Sequence, residues 1–142
     1  MRDLHHNIKA IRCISPVSLG TTGVGKTGKV IDRQGFDSVE FVFDYGAITA
    51  TNATVTPTIL EGDTTGAMTS VADANLLGLE ANAAIGATTP RASGVSMNVT
   101  RRVGYIGPKR YVTAKLVATT SAAIVAAATV ILGAAHDHPV AT

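Results

Sequence analysis

The chain has 142 residues and a formal net charge of +2; 15% of its residues are charged, 46% apolar and 4% aromatic, and it has no Trp. That length is one domain with room for a core, and near-neutrality argues against broad attraction to nucleic acid or an anionic membrane surface. Cys13 is the one cysteine, which excludes an intrachain disulfide.

Ala, Thr, Val and Gly fill most of the sequence, and turn residues recur along it, so the expected class is all-β. Residues 1–7 read as a flexible N-terminal arm. Ile8–Ile14 is a strand candidate stopped by Ser15-Pro16, with Cys13 a buried, inert thiol in it. Residues 16–29 form a long Gly/Thr loop. Val30–Asp32 opens a short strand, and Ser38–Tyr45 is a firm one with Val39, Phe41, Phe43 and Tyr45 on one face. Ala53–Glu61 is a strand whose Pro57 asks for an edge position or a bulge. Met68–Val71 is another strand, Ala72–Glu80 has the makings of one helical turn, and residues 81–93 are a loop. Val95–Tyr105 and Arg110–Ala118 are strands around a Gly107-Pro108 corner. Ile124–Leu132 is Ala-rich, which favours helix by propensity, but its β-branched residues and flanks favour a strand. Residues 133–142 are a C-terminal tail. The expectation is a single domain over 1–142, a β-sandwich or Greek-key barrel of seven or eight short antiparallel strands. The opening hexapeptide has no apolar leader segment, and the most apolar run, Ala122–Ala135, is shorter than the roughly twenty residues of a membrane helix.

Gly20-Thr21-Thr22-Gly23-Val24-Gly25-Lys26-Thr27 matches the phosphate-binding pattern G-x-x-x-x-G-K-[ST] in full. That chemistry needs a helix N-terminus behind the loop, and Gly28 to Gly35 has no helical period. The expected reading is a Gly/Thr loop without nucleotide. His136-Asp137-His138 has metal-chelating residue types, but no third ligand is placed near it, so it reads as a solvated tail or a contact with a neighbouring subunit. Glu61 and Asp63 read as turn residues rather than an acid–base pair. No catalytic set and no cofactor is assigned.

The densest cluster surrounds Gly107-Pro108: Arg101, Arg102, Lys109 and Arg110 with Tyr105 and Tyr111. One use for it is stacking and neutralising a nucleic acid strand. The others are a protein contact, or a surface whose cations meet water, another chain, or acids such as Asp32, Asp37 and Glu40. Arg101, Arg102, Tyr105, Lys109, Arg110, Tyr111, His136 and His138 are therefore the protein-contact candidates.

Five pieces stand in order: Asp32–Val39, Leu60–Asp63, Ala72–Gly78, Arg102–Val112, and Val130–Gly133 ahead of a His/Pro tail. Together they resemble a family of small tailed-bacteriophage virion proteins, usually encoded beside the major capsid protein, over most of residues 30–140. Arg102–Val112 is the most specific part. The family's Gly-His-Pro tail is replaced here by Gly133-Ala134-Ala135-His136-Asp137-His138-Pro139, and the loop at 20–28 has no counterpart. The resemblance implies a capsid decoration or cement protein on the virion surface, made in the host bacterial cytoplasm. It implies the major capsid protein as partner, a homo-oligomer (a trimer by analogy), no catalytic residue, and no nucleic acid or membrane partner. The alternatives are a head–tail joining or tail component, or a ligand- or glycan-binding capsid appendage.

Overall fold

Alternation of period two decides the architecture. The computed structural model describes residues 3–19, 25–48, 53–87, 98–119, 124–137 and 139–140. In β4 (Phe36–Tyr45), Val39, Phe41, Phe43 and Tyr45 are buried on one face, and the three rings stack along the strand with centroids 6.4 Å apart. Rings of that size need small neighbours. β11 (Ile124–Ala135) supplies them, setting Ala126 opposite Tyr45 and Ala128 opposite Phe43. This pairing explains why an Ala-rich run lies in a strand: cross-strand packing overrides its helical propensity.

The fold is a β-sandwich of two antiparallel sheets. One has the order β1 (Lys9–Leu19), β11, β4, β9 (Val99–Tyr105), β7 (Leu76–Leu77). The other is centred on β10 (Tyr111–Thr119) and β5 (Ala53–Thr64). β2 (Lys26–Thr27) and β3 (Ile31–Asp32) flank β10; β6 (Ala67–Ser70) and β8 (Ile85–Ala87) flank β5. Val112, Ala114, Leu116 and Ala118 of β10 and Ala53, Val55 and Ile59 of β5 face the first sheet, all at 0% exposure, so the core is continuous across both sheets.

The two interior prolines are handled by the same device. Pro57 and Ile59 point their backbone groups the same way, because ladder bonding alternates. At Ile59 these groups bond outward, away from β10, to Val71 and to the Glu80 carboxylate at the start of α1 (Glu80–Ala83). Pro57 thus lies on a stretch of edge between β8 and β6, as expected. Pro16 does not end β1. That strand lies at the edge of its sheet and carries irregularities between Arg12 and Ile14 and between Ile14 and Val17, so the proline falls within the second of them. The long loop expected over 16–29 is therefore strand up to Leu19 and strand again at Lys26–Thr27. Ala72–Glu80 holds a 3-10 turn (Asp73–Asn75) and β7, and the expected loop 81–93 begins with the end of α1 and β8.

Both chain ends are tied down in part. Asp3 accepts from the His5 N–H at 2.9 Å and bonds to the His6 ring, and the Val140 N–H donates to the His6 carbonyl at 3.0 Å. β11 extends to Ala135, into the expected tail, and Ala134 sits there at φ 50°, a left-handed conformation that costs a Cβ-bearing residue free energy. Ala134→Gly is expected to raise the unfolding free energy by about 1 kcal/mol, read as a higher urea midpoint with an unchanged slope.

Candidate functional site

The Gly107-Pro108 corner does not join two paired strands. It carries the chain from β9 in one sheet to β10 in the other, and its residues lock the sheets together. Tyr105 closes β9 facing the core and is 1% exposed. Its hydroxyl donates to Glu61 Oε2 on β5, in the opposite sheet, and accepts from the Lys109 N–H at 3.0 Å. Burial, with the hydrogen bond to Glu61, pushes the Tyr105 phenol up and keeps it a donor. Gly107 is required by contact: a Cβ there would lie 2.5 Å from the Tyr105 hydroxyl oxygen.

Arg33, from the turn between β3 and β4, covers the outside of this lock. Its Nε donates to the Lys109 carbonyl at 2.8 Å, and its guanidinium carbon lies 5.5 Å from the Tyr105 ring centre. Lys109 Nζ meets Asp63 at 2.6 Å. Arg110 binds Asp32 through two hydrogen bonds, 3.0 and 2.6 Å, and lies 5.0 Å from the centre of the Tyr111 ring. These contacts hold the Asp32 carboxyl below its usual range and move the Lys109 and Arg110 groups up. Arg102, on the outer face of β9, approaches Glu40 at 3.7 Å; burial outweighs this cation and raises the Glu40 carboxyl. The His136 ring lies 2.9 Å from Asp37 and its backbone N–H donates to the Gly35 carbonyl, so the start of the tail closes over the same end. Arg33, Gly35, Asp37, Pro108, Arg110 and His136 border a shallow hollow of about 300 Å³.

Of the contact candidates, the structure brings Tyr105, Lys109, Arg110, Tyr111 and His136 to one end of the sandwich. Arg101 and Arg102 lie further back on β9, and His138 is outside the described residues. Two of the acids expected to meet the corner cations do so, Asp32 with Arg110 and Glu40 with Arg102, while Asp37 meets His136 instead. Tyr105 offers no stacking face to a nucleic acid base because it is buried. The sequence reading missed Arg33 and the buried role of Glu61. The signal for Glu61 was available: Ala53, Val55, Pro57 and Ile59 alternate inward, and Glu61 is next on that face.

Two other motifs resolve differently. Lys26 and Thr27 form β2, paired with Leu116 and Lys115 of β10, so the G-x-x-x-x-G-K-T string runs into a strand where a phosphate site needs a helix; residues 20–24 are outside the described residues. Lys26→Ala is expected to leave thermal stability within about 0.5 kcal/mol, with no saturable ATP binding in either form by calorimetry. Among the described residues, no three His, Cys, Asp or Glu side chains are placed to hold a metal ion. Cys13 is buried and its thiol is pushed up by desolvation, consistent with an inert side chain.

No protein-family model and no curated protein sequence matches the chain. Among solved structures, the PBSX exported protein XepA aligns with TM-score 0.56 and 17% identity over 94% of this chain, which spans 39% of XepA. The SPBc2 prophage-derived protein YomS aligns with TM-score 0.52 and 11% identity over 89% of this chain and 92% of YomS. At these identities the likeness is one of fold.

Proposed function

We propose that this chain is a structural protein of a tailed-phage particle, a decoration or cement subunit on the outer shell, in contact with the major capsid protein and assembled as a homo-oligomer such as a trimer. The observation that carries the reading is the sandwich itself, a fold shared with the PBSX exported protein XepA and the SPBc2 prophage-derived protein YomS. The segment of strongest sequence resemblance, Arg102–Val112, builds the lock between its sheets. A cement subunit needs a stiff body with many copies, since weak contacts repeated over a shell add through multivalency. A core continuous across two pinned sheets fits that demand, and the reading needs no catalytic residue.

Particles with and without the protein test it. Those lacking it are expected to release their DNA at a lower temperature and to recover when the purified chain is added back. Equal shell stability in both preparations would refute cementing.

A further inference from the structure

Two strand edges of the sandwich differ in what they leave open. On β5, the stretch between β8 and β6 is closed: Pro57 has no N–H, and the Ile59 N–H donates to Glu80. On β1, a short stretch is open. The Gly46 N–H, just past β4, donates to the Val125 carbonyl at 2.8 Å, so Val125 turns its backbone groups toward β4. Ladder bonding alternates along a strand, so Val130 and Leu132 turn theirs toward β1. Their partners there are Ile11 and Lys9. Ala10 and Arg12 therefore point their N–H and C=O groups away from β11, out along the sheet edge, and among the described residues no hydrogen bond reaches them. The open stretch is bounded. Beyond it the Cys13 carbonyl is taken by the Lys29 N–H at 2.8 Å, and β1 is irregular between Arg12 and Val17.

A hollow adjoins this stretch. Leu4, His5, Ile8, Lys9 and Ala10 line it, its volume is about 560 Å³, and its walls are mostly apolar. Leu4 is 70% exposed there, a leucine left in water. Outward N–H and C=O groups on alternate residues fit one kind of ligand, an extended backbone that continues the ladder, and an apolar hollow beside them fits a side chain of that backbone. We infer that β1 accepts, at Ala10–Arg12, a short extended segment of a partner protein as an added strand, with one apolar side chain of the segment seated between Leu4 and Ile8. The closure at Cys13 keeps the segment short and keeps the edge from templating longer, unselective pairing. On the shell reading proposed above, on which the source of the segment rests, it belongs to a shell subunit.

Amide hydrogen exchange of the intact chain tests the edge itself. The Ala10 and Arg12 amides are expected to exchange at least about tenfold faster than the Ile11 amide between them; equal protection would overturn the open edge. Binding is then compared for the intact chain and three variants, each checked for folding by circular dichroism. Ala10→Pro removes one outward N–H at a position where an edge strand tolerates proline, Leu4→Asp puts a charge beside the hollow, and Arg12→Gln keeps the backbone. The probes are phage particles stripped of the protein and a soluble synthetic peptide with Thr and Val alternating around one Leu. Ala10→Pro and Leu4→Asp are each expected to weaken binding to both probes about tenfold, and Arg12→Gln less than about twofold. The peptide is expected to slow exchange at Ala10 and Arg12; a bound peptide that leaves both amides unprotected would overturn strand addition. Particle binding unchanged by Ala10→Pro and by Leu4→Asp would overturn this edge as the docking site while leaving the shell reading intact. Peptide protection of these amides with no particle binding by the intact chain would uphold the edge and overturn the shell reading. Self-association that protects the same amides would overturn the shell subunit as the source, in favour of a second copy of the chain.

Discussion

Tyr105→Phe is expected to lower the unfolding free energy by about 3 kcal/mol, although it removes one atom from a side chain whose ring stays in place. The Tyr105 hydroxyl serves two groups at once: it donates to the buried Glu61 carboxylate and accepts from the Lys109 N–H. Its loss leaves both without their partner. An unmet buried group costs roughly 1–3 kcal/mol, with the higher end for charged ones. The second variant separates the lock from simple packing. Glu61→Leu in the Tyr105→Phe background removes the unmet acceptor and is expected to recover at least half of the loss, because replacing both partners with apolar groups approaches neutrality. Tyr111→Phe, on the neighbouring half-exposed ring, is expected to stay within about 0.5 kcal/mol. Urea unfolding of the four proteins reads all of this; a Tyr105→Phe effect below that level would mean that the corner does not pin the sheets.

Gly28→Val is expected to cost about 3 kcal/mol or more, at a position that a motif search would pass over as the residue after a phosphate loop. Gly28 sits where the edge of one sheet meets the other. Its N–H donates to Ala114 on β10, and the next N–H, Lys29, donates to Cys13 on β1, both at 2.8 Å. A Cβ on Gly28 would lie 2.4 Å from Cys13 Sγ and 3.0 Å from the Cys13 carbonyl oxygen. The sulfur is buried and the carbonyl is backbone, so neither yields cheaply, and a branched side chain forces the seam open. The same variant is expected to make the Cys13 thiol react with a thiol reagent under native conditions, while the parent reacts only on unfolding. Gly35→Ala is the contrast. No atom lies within 4 Å of the added carbon, so its cost, about 1 kcal/mol, comes from a φ of +87° alone. Equal losses at Gly28 and Gly35 would contradict the seam.

Strands whose apolar residues alternate cleanly were legible without a structure. Ser38–Tyr45, Arg110–Ala118 and Ile124–Leu132 lie within or beside observed strands, and the sandwich class follows from them. What escaped is set by contacts distant in sequence. β1 runs through Pro16 because it lies at a sheet edge and is irregular there, and edge position depends on which strand pairs with which. β2 and β7 have two residues each, too short for any period. Within the corner, the cations and their acid partners were visible as types, and Asp32, Asp37 and Glu40 were named as candidates. Their assignments depend on the β3–β10 and β4–β9 registers, which bring residues 78 apart in sequence, Asp32 and Arg110, into contact. The burial of Glu61 was readable from alternation but was masked by the turn-like Leu60-Glu61-Gly62-Asp63 string.

The virion reading meets its most direct test in the number of copies of this chain on an intact particle, measured by quantitative mass spectrometry against the major capsid protein and placed by cryo-electron microscopy. A shell-coating subunit is expected at on the order of hundreds of copies, spread over the capsid surface. About a dozen copies confined to one vertex would point to a closed ring at the head–tail joint, and absence from the particle would contradict the virion reading itself.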